Sequence, residues 1–424
     1  MKSFLNLTAI SIVALAMLVL ISCGAPSPST QEAIKIGVDL PTSVLPGLSA
    51  SVQNGLIMAA SEINDAGGIG GRSVDLVFYD DAFSPSMAVS NIARLIQDDK
   101  VVAVIGPADA DSIEATVRLC QENKVIQVIA TGAPGLIDPI KHPYLFRVGP
   151  TDADQAAILV SYATKHGREI AIVADDTLYG QQGTALLRDE LDEQGKKPVV
   201  VETFSYGDTD MAIQVGRVID SGADEVILWG AGDEPAYVTK ELRMRNWNGK
   251  IVGCAGLGLL DYREVAKGYT EGVVFLALGA RGWAMDRRAQ PYIFDQQHHV
   301  AFDSQKWMGW QERYWAILGE EYFWWGGDPS SKGHIVSADD ALISNLNQFF
   351  SYSALYILRE ALEKAGDVTD GEKVRKALER TVVQGLWHHD FRFTPDCHDA
   401  LNAEDLVLLE YRGNFVEPVP LSEY

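Results

Sequence analysis

Cys397, His398 and Asp399 stand side by side and spell out the nucleophile, base and orienting acid of a hydrolytic triad. Adjacent side chains diverge, however, and catalytic partners meet through space rather than along the chain. The pairs His298-His299 and His388-His389 lack the i, i+4 spacing that would aim two imidazoles at one zinc ion. Gly67 to Gly71 is rich enough in glycine to suggest a phosphate cradle, but such a loop follows a strand and opens a helix. This one follows a helical stretch. Gly256-Leu257-Gly258 does follow a strand-like run, yet the third glycine of a dinucleotide fingerprint is missing. The chain has no Walker lysine motif, no Gly-x-Ser-x-Gly elbow and no His-Glu-x-x-His. The reading is a protein that is not an enzyme and holds neither metal nor cofactor.

Charge narrows the partners. Acidic residues outnumber basic ones by 58 to 35, for a net charge of −23 in 424 residues. No Lys/Arg cluster is present to displace the counterions of a polyphosphate, so nucleic acid is not expected as a partner. At 47% hydrophobic and 22% charged, the composition is that of a globular chain long enough for two or three domains.

The first 22 residues read as a signal peptide, with Lys2 followed by an apolar run from Phe4 to Ile21. Leu20-Ile21-Ser22-Cys23 resembles the bacterial lipobox, which implies a diacylglycerol on Cys23 and an extracytoplasmic protein anchored to the membrane by lipid. An uncleaved membrane helix, or a secretory signal with a chance cysteine, are the alternatives, and each exports everything after Cys23. Residues 23–32 read as a tether. Cys120, Cys254 and Cys397 cannot all pair; one disulfide is possible in an oxidising compartment, and buried inert thiols are the expectation.

Beyond the tether, short β-branched runs alternate with amphipathic helices. Ile34–Asp39, Val74–Tyr79, Val101–Ile105 and Val125–Ala130 predict strands, the last two being apolar runs of the kind buried on both faces. The same rhythm resumes with Glu169–Ala174, Pro198–Phe204, Glu225–Leu228, Lys250–Gly253 and Val273–Leu278. Such alternation predicts an α/β fold of doubly wound parallel sheets. Between the two series lies PYLFRVGPTDADQ, Pro143 to Gln155. Its strand is stopped by Gly149-Pro150, and Thr151 or Asp152 caps the next helix. Gly149 and Pro150 are therefore read as a hinge between two lobes. Lobe 1 is expected to comprise residues 33–149 and 281–385, and lobe 2 residues 150–280 and 386–424. Later helices are expected at Ser337–Lys364 and Gly371–Arg380, with closing strands at Phe391–Thr394 and Leu406–Tyr411.

Six motifs in order then resemble a known family. They are EINDAGGIGG (Glu62–Gly71), YDD with SP (Tyr79–Asp81, Ser84, Pro85), VIGP (Val104–Pro107), YLFRVGPTDADQ, DD…YG (Asp175, Asp176, Tyr179, Gly180) and GDTD (Gly207–Asp210). Together they resemble the type I periplasmic solute-binding proteins of ABC transporters, in the leucine/isoleucine/valine-binding group. The resemblance implies two lobes closing like a Venus flytrap on a small-molecule ligand, which is then delivered to an ABC transporter permease.

Carried over position by position, the resemblance implies a pocket near Leu48, at Asp109, Ala110, Asp111 and Ser112, and at Thr131, Gly132 and Ala133. From the second lobe it adds Tyr179, the stretch from Gly230 to Asp233, and Ala255. The family's carboxylate-binding serine and threonine fall on Ala110 and Ala133, and the acid that pairs the ligand ammonium falls on Ala255. Ser112, Thr131 or Asp233 could substitute. Asp109 and Asp111 near a helix start could favour a cation or hydroxyls, or could merely cap the helix. Tyr179 is expected in a loop directly after a strand, where it could cap the ligand; a core aromatic is the alternative. An amino acid or related small polar organic molecule is thus a safer expectation than leucine.

Six of the nine tryptophans fall between Arg281 and Lys332. They could pack against a sheet or a partner, enlarge the cleft, or dock a permease, and Trp283 is the pocket candidate among them. The rival to a transport protein is a ligand sensor of the same fold coupled to a signalling partner.

Overall fold

A computed structural model of the chain describes residues 32–230, 232–258, 260–278, 346–384, 390–412 and 415–424. The first series of elements runs β1 (Ile34–Leu40), α1 (Pro46–Asp65), β2 (Val74–Asp80), α2 (Pro85–Arg94), β3 (Ala103–Ile105), α3 (Ala110–Asn123), β4 (Ile126–Ile129) and β5 (Leu145–Arg147). Its five strands are all parallel, in the order β2-β1-β3-β4-β5. A parallel sheet covered on both faces needs apolar side chains pointing both ways, and β3, β4 and β5 are buried at every position.

The second series runs α4 (Asp152–His166), β6 (Ile170–Asp175), α5 (Leu178–Glu193), β7 (Val200–Phe204), α6 (Ala212–Asp220), β8 (Glu225–Trp229), α7 (Glu234–Met244), β9 (Lys250–Gly253), α8 (Leu260–Val265) and β10 (Val273–Leu278). The described C-terminal part adds α9 (Leu346–Ala365), α10 (Gly371–Leu378), β11 (Val382–Gln384), β12 (Asp390–Arg392), β13 (Leu406–Arg412) and β14 (Phe415–Pro418). The second sheet has the order β14-β13-β10-β9-β8-β6-β7, parallel from β10 to β7, with β13 and β14 joined antiparallel at one edge. Two doubly wound sheets are thus present, as the alternation predicts.

The late helices bond to elements of the first series. The Tyr352 and Tyr356 hydroxyls both donate to Glu62 Oε2 of α1, at 2.5 and 2.7 Å, and Tyr144 donates to Glu372 of α10 at 2.8 Å. From Leu406 the chain belongs to the second sheet.

Several expectations need correction. The strand expected at Phe391–Thr394 is Asp390–Arg392, and it pairs with Val382–Gln384 in a separate ribbon rather than closing a lobe sheet. That partner strand and Phe415–Pro418 are too short and irregular in pattern to stand out in sequence. Cys120 and Cys254 are buried as expected, but Cys397 is exposed, and all three are free thiols. Residues 337–345 of the long predicted helix, the tryptophan-rich segment with Trp283, both His-His pairs and Cys23 lie outside the described residues.

Several motifs are structural devices. Asn64 of EINDAGGIGG clamps the Val74 backbone, accepting from its N–H at 2.7 Å and donating to its carbonyl at 2.9 Å, which fixes the end of α1 to the start of β2. In YDD, Asp80 and Asp81 each accept from a backbone N–H two residues on, folding the turn after β2.

Candidate functional site

Ligands of parallel sheets sit beyond the C-terminal strand ends, where helices begin. In the first lobe those ends carry the loops after β3 and β4. Asp109 is the N-cap of α3: its Oδ1 accepts from Ser112 N–H at 2.9 Å, so capping is one role it plays. Its Oδ2 is buried without a partner, as is the Ser112 hydroxyl. Asp111 points to solvent and Ala110 is half-buried. The Thr131 hydroxyl donates to Ala108 O at 2.6 Å, tying the two loops together, so it is committed before any ligand arrives. Ala133 is buried and Leu48 half-buried in the opening turn of α1.

Gly132 marks where the lobes meet. A Cβ there would stand 2.3 Å from Asp152 Oδ1 and 2.7 Å from Pro150 O, closer than any side chain could tolerate. Gly149 is equally confined, since its Cβ would fall 1.9 Å from Ala130 O. The first crossing, Val148 to Thr151, therefore lies flat on the loop after β4. Beyond it Thr151 caps α4 by accepting from Asp154 N–H at 2.9 Å.

The second lobe contributes its own strand ends. Asp175, at the end of β6, accepts from the N–H groups of Thr177 and Gly180, both at 3.1 Å, and from the Thr177 hydroxyl. That turn presents Tyr179, which corrects the expectation of a loop: it stands in the first turn of α5. Its ring is tilted against Trp229, centroids 5.5 Å apart, and its hydroxyl meets the Cys254 thiol. Burial pushes the phenol well above its ordinary range and pushes the Cys254 thiol up, so neither is a nucleophile or acid near neutrality. Tyr179 thus has the packing of a core aromatic at the sheet end. Asp233 is exposed ahead of α7 and makes no capping bond.

Sequence reasoning overlooked Asp152 and Gln155. Gln155 Nε2 donates to Asp152 Oδ1 at 3.1 Å, and Gln155 Oε1 faces the Ala255 N–H at 3.4 Å. This short chain joins the start of α4 to the loop after β9. Asp152 is 2% exposed, and its Oδ2 has no partner. Burial raises its pKa to about 6, against the pull of the nearby Arg147 guanidinium. The only sequence signal for these two residues was their place in PTDADQ directly after the Gly-Pro stop.

The structure thus brings Thr131, Gly132, Ala255 and the start of α4 to one junction, with Tyr179 and Cys254 beside it. Among the described residues, no group of three or more His, Cys, Asp or Glu side chains could hold a metal ion. No described helix is long and apolar enough to cross a membrane.

Comparison with known proteins agrees with this architecture. The family model described as periplasmic binding protein matches residues 33–291. An amino acid binding protein of Pseudomonas aeruginosa is 27% identical over 224 residues, which is 52% of this chain and 60% of that protein. A Leu/Ile/Val-binding protein of Rhizobium johnstonii is 25% identical, over 85% of this chain and 87% of its own. Among solved structures, the branched-chain amino acid transporter substrate binding protein of Streptococcus pneumoniae, in complex with isoleucine, superposes with a TM-score of 0.70 at 20% identity. That alignment covers 91% of this chain and 99% of that one. These relatives are binding proteins rather than catalysts, and their family works outside the cytoplasm. The resemblance carried by the six motifs is borne out: the chain belongs to the type I periplasmic binding proteins.

Proposed function

We propose that this protein is the solute-binding component of an ABC importer. It captures an amino acid or related small polar organic molecule between its lobes and hands it to a permease. The observation that carries this reading is the meeting of the two sets of strand ends at Gly132, Asp152, Gln155 and Ala255, directly beside a chain crossing. A ligand seated there would touch both lobes, so closing about Gly149 and Pro150 is coupled to capture. The amino-acid-binding names of the relatives support the ligand class. Ala110, Ala133 and Ala255, where the family grips an amino acid with polar groups, favour breadth over leucine alone. In the same reading Cys23 carries the lipid that keeps the protein beside its permease. Loss of Cys23→Ala from the membrane fraction of expressing cells is the expected result, and retention would remove the anchor from the proposal.

The central experiment is a melting screen of the purified protein against amino acids, their amides, polyamines and aromatic acids. A ligand at about a hundred times its dissociation constant stabilises by roughly 2.7 kcal/mol. For lobes of this size the midpoint should rise on the order of 5–10 °C. A flat response across the whole panel, or turnover of a compound that does bind, would defeat the reading.

A further inference from the structure

All three carbonyls of the Thr131–Ala133 loop are held by residues at the crossings between the lobes. Gly132 O accepts from the Asp152 N–H at 2.9 Å. Arg147, the last residue of β5, sends Nη1 to Thr131 O at 3.3 Å and to Ala133 O at 3.0 Å. The same guanidinium donates through Nε to Asp399 Oδ1 at 2.5 Å. Asp399 lies on the segment that carries the chain back towards the second sheet. The two backbones are joined there as well: Arg147 N–H donates to His398 O and Ala400 N–H to Arg147 O, both at 2.9 Å.

The Arg147 side chain is 5% exposed, so its charge must be paired and its donors satisfied. Only a planar fork can serve a carboxylate on one edge and two carbonyls on another; an ammonium of similar reach cannot hold all three in fixed directions. Two adjacent crossings and one binding loop thus share a single rigid cation. Neither a capping role nor ordinary strand pairing requires that arrangement.

We infer that Arg147 is a positioning residue that ties the ligand-facing loop Thr131–Ala133 to the returning crossing through Asp399. A change in the crossing on rotation of the lobes is then felt as a displacement of the loop. The inference rests on reading that loop as part of the binding cleft, but its test needs no ligand.

The test is methyl NMR of the full chain labelled with 13C at alanine and threonine methyls. In Asp399→Asn, the Ala133 and Thr131 resonances should move by more than a line width, while Ala171 and Ala236, buried in the second lobe, stay in place. Asp399→Glu keeps the charge and should return both peaks towards their wild-type positions. Arg147→Lys should displace the same two peaks further than Asp399→Asn does. If Asp399→Asn shifts only its own neighbourhood, Ala400 included, and leaves Ala133 and Thr131 where they were, the coupling does not exist. A flat melting screen would leave this result standing, so the two failures can be told apart.

Discussion

His398 lies flat on Phe146, with ring centroids 3.9 Å apart and planes 19° from parallel. No part of its side chain is exposed. Nδ1 stands 3.0 Å from Leu145 O, while Nε2 faces Glu379 Oε1 at 3.4 Å, with Arg375 beyond it. The imidazole that completes a triad on paper is in fact a packing piece, seated between the returning crossing and the last strand of the first sheet. Cys397 and Asp399 on either side point elsewhere, as alternation along an extended chain requires.

That burial has a pH consequence. Desolvation pulls the His398 pKa below its ordinary value, more strongly than Leu145 O and Glu379 raise it, while Arg375 also lowers it. The folded state therefore prefers the neutral ring, and the unfolded chain takes up the proton first as pH falls. The stabilisation is present above about pH 6.5 and lost as pH drops below it. His398→Asn should cost about 1–3 kcal/mol at pH 7 through the lost ring contact, yet flatten the decline between pH 7 and pH 5. Denaturation midpoints across that range decide it; an unchanged slope would show that His398 does not titrate on unfolding.

Asp39 should behave with the opposite sign. It is wholly buried near the end of β1, where Asn91 Nδ2 donates to Oδ1 at 2.8 Å and Oδ2 has no partner. Burial, and then the neighbouring Asp81, Asp80 and Asp109 charges, raise its pKa to about 8, despite the Asn91 bond. A raised folded pKa stabilises the fold at low pH, and that contribution is lost as pH rises through about 8. Asp39→Asn removes the penalty of ionisation while keeping an acceptor for Asn91. The loss runs from about pH 4 to about pH 8, so the variant's stability should exceed that of the wild type by about 1–3 kcal/mol more at pH 9 than at pH 6. Equal differences at the two pH values would mean that the carboxyl is already ionised in the folded protein at pH 6.

Gly132→Ala tests the junction itself. The added methyl meets the Asp152 carboxylate and the Pro150 carbonyl, and the second of these is backbone that cannot swing aside. The loop or the crossing must shift, at a cost of about 1–3 kcal/mol. Because that shift falls between the lobes, the variant should also lose at least half of any ligand-induced rise in melting temperature. A variant that melts with the wild type and responds like it would show that the contact is slack.

The two lobes were legible in sequence because buried parallel strands leave short, wholly apolar runs, as at Val101–Ile105 and Val125–Ala130, and because Gly149-Pro150 interrupts the rhythm. The ribbon of β11 and β12 was not, since three-residue strands leave no period to detect. Motifs marked the family well and the ligand badly for one reason. Asn64, Asp80, Asp81 and Asp175 each commit a side-chain oxygen to a backbone N–H. The groups at the junction, Arg147, Asp152 and Gln155, are neighbours in the chain, but two of their partners are remote: Asp399 lies 252 residues beyond Arg147, and Ala255 lies 100 beyond Gln155. No local pattern announces such a meeting.

Tyr179 separates a packing role from a ligand-facing one. Tyr179→Phe keeps the ring against Trp229 and gives up only the contact with Cys254, so stability should fall by about 1 kcal/mol or less. Tyr179→Ala removes the ring and should cost about 2–4 kcal/mol. If the ring also covers the ligand, the Ala variant should bind the best compound of the melting screen at least tenfold more weakly by calorimetry, while Phe binds within about threefold of wild type. Equal affinity in all three proteins would assign Tyr179 to the core of the second lobe, and the aromatic wall of the cleft would have to be sought on another strand end.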